Sequence, residues 1–213
     1  PPRRADRGGG SWPTPARARC GTVRHWHESP RYLRLPLARG FRDGRHEAPV
    51  TTQLDRADHA EILQVSYRYA AGIDHRDWEL FRSVFGEVCT VDFSSWSGRP
   101  AAEMPADEWV AAVRSVNGNF DATQHLMTNH RLETIDRDSV VGVNELQAQH
   151  WFSAASMAEF GRSDGAAWCM LGGQYTNLYL RTGDGWKIAS CELTVRWRTV
   201  DESIFTFARR RDG

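Results

Sequence analysis

Lysine is almost missing: Lys187 is the only one among 27 basic residues, so nearly all positive charge is arginine. Cysteine is sparse as well. Cys20, Cys89, Cys169 and Cys191 lie far apart with no C-x-x-C pair, which argues against a zinc site or a disulfide framework and predicts reduced thiols. No apolar run approaches the roughly 18 residues needed to span a bilayer, and no signal-peptide pattern is present. A soluble, cytoplasmic protein is the expectation. Net charge is zero, with 27 acids against 27 bases.

That balance hides an uneven distribution. Residues 1–48 hold eleven arginines against four acids, a charge of +7, which leaves −7 for the remainder. The stretch "RGGGSWPTPARARCG" has no sustained apolar period and cannot bury enough surface to offset its ordering entropy. Residues 1–50 are therefore read as a disordered Arg/Pro/Gly-rich extension, and 51–213 as a single domain. Three readings of the extension stay open: a nucleic-acid or acidic-partner tail, a transit peptide, or upstream coding sequence from a high-GC genome. The first lacks repeated Arg/aromatic modules and the second lacks an amphipathic period, so nucleic acid is not an expected partner. His25 and His27, near Cys20, make no credible site.

Beyond Pro49 the pattern changes. Ile62, Val65, Tyr69 and Ile73 are spaced 3, 4 and 4, which predicts an amphipathic helix with Asp58 as its N-cap. Trp78, Phe81, Val84 and Phe85 before Gly86 predict a second helix with a glycine stop. "EVCTVDFSSW" is β-rich. "MPADEWVAAVRSVNG" predicts a third helix from Pro105 to Gly118. From Phe120 the period becomes two: Leu146, Ala148, His150 and Phe152 share one face, and Glu145, Gln147 and Gln149 the other. A turn at Gly183–Gly185 joins two further strands into a hairpin. The predicted fold is α+β: a curved antiparallel sheet wrapped with N-terminal helices into a cone that encloses an apolar pocket. Ile204, Phe205 and Phe207 form either a lid at its mouth or an apolar tail on the surface. The segment "DATQHLMTNH" carries His125 and His130, and local pattern does not choose between them.

Several stretches, "GIDHRDWELF", "AEMPADEWVAAV", "TQHLMTN", "SVVGVNELQAQHWF" and "GDGWKI", resemble scytalone dehydratase and its relatives in the SnoaL-like, nuclear-transport-factor-like cone superfamily. The resemblance runs from about Asp58 to Phe207. It implies an Asp–His pair, Asp74 with His125, and a second histidine, His150, while His130 falls outside the pattern and is expected to be a solvated strand residue. It also implies that two substrate-holding tyrosines are replaced by Ile73 and Phe93, and a Ser and an Asn near Gly173 and Tyr175. Tyr69, Tyr175 and Asn129 are then the candidates for polarising a carbonyl. Oligomers are usual in the family, so a dimer or trimer is expected.

The implied activity is a cofactor-independent dehydratase acting on a small apolar hydroxy-carbonyl compound such as a polyketide, aromatic or steroid intermediate. His125, oriented by Asp74, would be the base, and His150 or a water-bridged tyrosine the acid. Tyr69 would be an oxyanion donor. An isomerase or cyclase of the superfamily is the alternative, as is a non-catalytic cone domain like the accessory subunit of an oxygenase. Each residue also has a plainer reading: Asp74 as a cap, His150 and Tyr69 as core, Tyr175 as a sheet residue, Asn129 as a bulge former. Trp78, Trp109 and Trp186 are assigned to packing, and Arg196 to a solvated edge or an anionic substrate. Asp74, His125 and His150 also have the composition of a two-His-one-carboxylate iron site, though without its tight spacing; no metal is expected.

Overall fold

The computed structural model describes residues 54–199 and 203–211. The expected extension, with Cys20, lies outside the described residues. In chain order the elements are α1 (Arg56–Asp74), α2 (Trp78–Ser83), β1 (Phe85–Asp92), α3 (Ser94–Ser97), β2 (Ala102–Pro105) and α4 (Ala106–Asn117). β3 (Ala122–Asp136), β4 (Ser139–Phe152), α5 (Ala154–Glu159), β5 (Ala167–Thr182), β6 (Gly185–Arg198) and α6 (Ile204–Arg210) follow. The strands form one unclosed sheet in the order β2-β1-β6-β5-β4-β3. All neighbours are antiparallel except β1 and β6, which run parallel. Register shifts at Thr128/Arg131 and Gly172/Gly173 bend the long strands.

α1 buries the face its spacing predicts, with Ile62, Val65, Tyr69 and Ile73 all inside. Its cap is not Asp58. The carboxylate of Asp55 accepts from the Asp58 N–H at 2.8 Å, and Asp58 is taken up elsewhere. It pairs with Arg181, accepts from Trp186 Nε1 at 2.9 Å, and is held below the usual carboxylate range chiefly by Arg181. Glu61 accepts from the Trp186 backbone N–H at 3.0 Å. The start of α1 is thus fastened to the β5–β6 turn. Gly185 turns there at φ +90°, and a Cβ would lie 2.1 Å from Glu61 Oε1.

The second helix stops earlier than expected. Asp77 caps it, but Ser83 ends it, because the Val84 carbonyl already accepts from the Ile188 N–H at 2.8 Å. Phe85 then pairs with Ile188 and Gly86 lies inside β1. Ladder bonding to β6 therefore overrides the glycine stop. β4 alternates as read, with Leu146, Ala148, His150 and Phe152 buried. α6 joins Phe120, Phe152, Met157 and Cys169 in a second apolar cluster. Phe205 sits 4.8 Å from the His150 ring, so the C-terminal segment covers that end of the concave face and is not a surface tail.

Cys89, Cys169 and Cys191 are buried and none is in a disulfide. Among the described residues, no helix is long and apolar enough to cross a membrane.

α1 and α2 approach closely at Gly72, where a Cβ would lie 2.6–2.7 Å from the Phe81 N, Cα and Cβ. Alanine in a helix interior is usually favoured over glycine by about 1 kcal/mol. Here the contact is mainly with backbone, which no rotamer change relieves, and overpacking costs about 1–3 kcal/mol. Gly72→Ala should therefore reverse the usual sign and destabilise by roughly 1–2 kcal/mol. A urea midpoint at or above wild type would refute the close approach.

Candidate active site

α1 ends at the residue that matters. Asp74 is its last residue, His75 is the C-cap, and Arg76 turns into the left-handed region at φ +60°. The Arg76 guanidinium donates to the carbonyls of Ile73 and Asp74, each at 3.0 Å, to Thr123 Oγ1 at 2.9 Å and to the Phe120 carbonyl at 2.9 Å. It ties the negative end of the helix to the start of β3.

The Asp74 carboxylate faces β3. Oδ1 accepts from His125 Nδ1 at 2.7 Å and from the Thr123 hydroxyl at 3.0 Å, while Oδ2 accepts from the His125 backbone N–H at 2.7 Å. Since Thr123 Oγ1 accepts from Arg76, its own proton is directed at Asp74. The side chains are largely enclosed, 6% exposed for His125 and 17% for Asp74. Burial raises the affinity of Asp74 for a proton, but these donors outweigh it and hold the carboxyl below its usual range. An ionised carboxylate can only accept, so His125 carries a proton on Nδ1, and Nε2 is the nitrogen left bare in the neutral ring.

His150 stands opposite Thr123 on β4, its ring 5.5 Å from that of His125 and nearly perpendicular to it. Phe120 and Phe205 flank it at 4.9 and 4.8 Å. It is 4% exposed. Nε2 meets Asn117 Oδ1 at 3.1 Å, whereas Nδ1 is buried with no partner among the described residues. Burial first, and then the neighbouring His125, push its pKa down to about 3. The expected acid role does not suit such a ring: it is neutral, and its one N–H is committed to Asn117.

Other expected residues fall elsewhere. The Tyr69 hydroxyl donates to the Tyr175 hydroxyl at 3.3 Å deep in the aromatic core, against Phe81 and Phe85. Burial raises both phenols, so they stay protonated. No hydrogen bond joins Tyr69 to the Asp74–His125 pair among the described residues. Ile73 is core, and Phe93 packs on Trp109 at 4.9 Å and on Tyr175 at 6.1 Å. Asn129 is exposed at the β3 bulge with φ +53°, so it is not brought to the site. Gly173 admits no side chain: a Cβ would lie 2.3 Å from the Thr194 carbonyl oxygen.

His130 is not solvated as expected. Its Nε2 lies 2.9 Å from the hydroxyl of fully buried Ser66, and its ring packs edge-on to Tyr67. Arg196 pairs with Glu145 and Gln174 on the exposed face. Asp74, His125 and His150 do not converge as metal ligands. The first two bond each other, the third bonds Asn117, and no metal-holding group of His, Cys, Asp and Glu occurs among the described residues.

A pocket of about 360 Å³ lies between α1 and β3, lined by Tyr67, Ala70, Asp74, His125 and Met127 among others. It is open to solvent rather than enclosed as expected, and His150 does not line it. Arg76, Thr123 and Asn117 were not singled out from sequence, and nothing local marks them.

His150 gives a measurable pH dependence. Its folded pKa of about 3 lies below the roughly 6.5 of an unfolded histidine. The stability it contributes is complete above that unfolded value. As pH falls the unfolded chain binds the proton first, so stability drops by about 1.4 kcal/mol per pH unit until the folded pKa is passed. His150→Gln should flatten the stability curve by that one-proton slope between about pH 6 and pH 4. Parallel urea-melt curves for the two proteins would show that His150 is not held neutral.

With this geometry in view, the relatives are informative. The SnoaL-like domain family matches residues 55–192. Scytalone dehydratase arp1 of Aspergillus fumigatus is 30% identical over 162 residues, spanning 73% of this chain and 93% of the relative. The crystal structure of the Kfla4162 protein from Kribbella flavida aligns with a TM-score of 0.64 at 32% identity, covering 70% of this chain and 97% of its own. A hexachlorocyclohexane dehydrochlorinase, LinA type 2, shares the fold at a TM-score of 0.54 and 19% identity, over 67% of this chain and 88% of its own. The chain therefore belongs to the SnoaL-like family, with its α+β cone fold, and is a lyase-type enzyme of the dehydratase kind.

Proposed function

We propose that the protein removes water from a small, largely apolar hydroxy-carbonyl compound, with the Asp74–His125 pair moving the proton and no cofactor taking part. The carrying observation is the 2.7 Å contact between His125 Nδ1 and Asp74 Oδ1, which leaves Nε2 as the basic atom. In this reading Nε2 takes the proton α to the carbonyl, and the C–H electrons pass into an enolate. Asp74 stabilises the imidazolium that forms. The enolate then collapses to C=C as the β C–O bond breaks, and the departing hydroxyl leaves as water with the proton from Nε2.

The neutrality of His150 narrows the course. Its single N–H is bound to Asn117, so the proton returned to the hydroxyl comes from the same imidazole that removed it. One group doing both jobs needs the hydrogen and the hydroxyl on the same face, a syn elimination. Polyketide-derived or other fused-ring hydroxy ketones fit this requirement.

Asp74→Asn and His125→Gln should each lower the rate on hydroxytetralone substrates, scytalone included, by about 10²–10⁴-fold, the usual worth of a positioned acid–base group, with unchanged circular dichroism. Wild-type rates in either variant would exclude the pair. Solvent deuterium entering a probe without loss of water would shift the reading to an isomerase.

We also propose a homo-oligomer built on the convex sheet face. Trp151, Trp168 and Trp197 are 40, 52 and 48% exposed there, and the first two are cross-strand partners. Sedimentation should show a dimer or trimer, and a monomer throughout would refute this.

A further inference from the structure

The two edges of the sheet are finished differently. β2, at one edge, has four residues and ends at Pro105, which cannot donate to a ladder. β3, at the other, has 15 residues and no proline. Which of its backbone groups are free follows from the register. Residues of an antiparallel strand turn their N–H and C=O alternately to one neighbour and to the other. The Trp151 carbonyl of β4 accepts from the Asp121 N–H, on the β3 side, whereas the Asp138 carbonyl accepts from Arg181 of β5. β4 pairs with β5 without a break from Ser139 to Phe152. Its odd-numbered residues therefore face β3, and its even-numbered ones face β5.

Ala148, Gly142 and Val140 are even-numbered, and their partners on β3 are His125, Leu132 and Thr134. Those three aim their backbone groups away from β4. His125 shows it directly, since its N–H goes to Asp74. α1 thus occupies the first half of the edge. Past the bulge at Asn129, the outward N–H and C=O of Leu132 and Thr134 meet no partner among the described residues. Arg131 and Glu133 flank Leu132. Both are exposed, and being two residues apart they leave the strand from one face.

Charges on an edge strand commonly deter pairing, but these two have opposite signs and permit one register of it. Let a second copy of the chain lie antiparallel along β3 about a twofold axis. Its hydrogen-bonded pairs must be drawn from Leu132 and Thr134. Centring on Leu132 sets Arg131 opposite Glu133 of the second copy, and Glu133 opposite its Arg131. Both are non-hydrogen-bonded positions, where facing side chains come nearest. Pairing Leu132 with Thr134 would instead set Glu133 against itself, and centring on Thr134 would set Arg131 against Arg137. Like charges directly opposite are destabilising, so only the first register attracts.

We infer that the outer half of the β3 edge is an isologous contact between two copies of this chain, centred on Leu132 and fixed by its two Arg131–Glu133 pairs. It is independent of the dehydratase reading and lies on a different surface from the tryptophans of the convex face. Few residues of each copy take part, so the contact is a small one that forms at high protein concentration, on the order of 0.1 mM.

Sedimentation of the full chain at rising concentration tests this. The weight-average mass should climb reversibly above its dilute value, and the climb should weaken as salt is raised from about 0.05 to about 0.5 M. Arg131→Glu places like charges in both pairs, and Glu133→Arg does the same with the other sign. Each should weaken the association about tenfold, with unchanged circular dichroism and melting. Mixing these two proteins, or making both changes in one chain, puts opposite charges face to face again and should restore the climb. At about 1 mM the amide hydrogens of Leu132 and Thr134 should exchange about fivefold more slowly than in dilute protein. Those of Arg131 and Glu133, already turned to β4, should not change.

A mass that stays constant up to about 1 mM, an association indifferent to the single reversals, or a double reversal that fails to restore it would overturn the inference. So would a climb that Trp168→Ser abolishes while the charge reversals leave it intact, because the contact would then belong to the convex face.

Discussion

The site depends on the grip between the end of α1 and the start of β3. β3 is an edge strand, paired on one side only, by β4. The Asp74 carboxylate takes three hydrogen bonds from it, and Arg76 adds two more through Thr123 Oγ1 and the Phe120 carbonyl. Bonds to charged groups are about twice as strong as neutral ones, and these are partly shielded from water. The contacts that dock the strand are the same ones that fix the tautomer of His125. Fold and chemistry share one carboxylate, so Asn at position 74 is a gentler probe than Ala: it keeps an acceptor for the His125 backbone N–H while removing the charge.

Two imidazoles 5.5 Å apart receive opposite treatment. His125 is given a carboxylate, which can support an imidazolium. His150 is given an amide, which accepts one proton's hydrogen bond but supplies no compensating charge, and burial among Phe120 and Phe205 disfavours its charged form. Were both rings charged, their repulsion in so dry a place would be severe. The surroundings therefore favour a positive charge on at most one of the two rings.

Parts of this were legible in the sequence because they obey a local period. The stripe Ile62, Val65, Tyr69, Ile73 declares α1, and the alternation through Leu146, Ala148 and His150 points the second histidine inward before any partner is known. The misreadings share a cause. Asp55 and Asp58 are both good caps, and the choice is made by Arg181, more than a hundred residues away. Gly86 resembles a helix stop, but β6 claims the chain two residues sooner. His130 looks solvated until Ser66 arrives from α1. Thr123, Asn117 and Trp109 have ordinary places in their own elements, and only tertiary contacts, or their absence, give them meaning.

The junction of α1 with β3 and the aromatic cluster beside His150 are built from different material. Asp74 and His125 sit on a 19-residue helix and a 15-residue strand, bonded to each other at several atoms. Trp96 and Phe205 belong to the short elements α3 and α6, and Phe93 immediately precedes α3; all three pack mainly through apolar faces. A bonded junction has one geometry, whereas an apolar wall tolerates volume-conserving exchange at small cost. Substitutions among these aromatic residues can therefore be absorbed without disturbing the Asp74–His125 contact. The link between the two is Asn117, which belongs to α4 yet sets the tautomer of a histidine whose ring lies 5.5 Å from that of His125. A change at position 117 would therefore alter which nitrogen of His150 carries the proton without moving the ring.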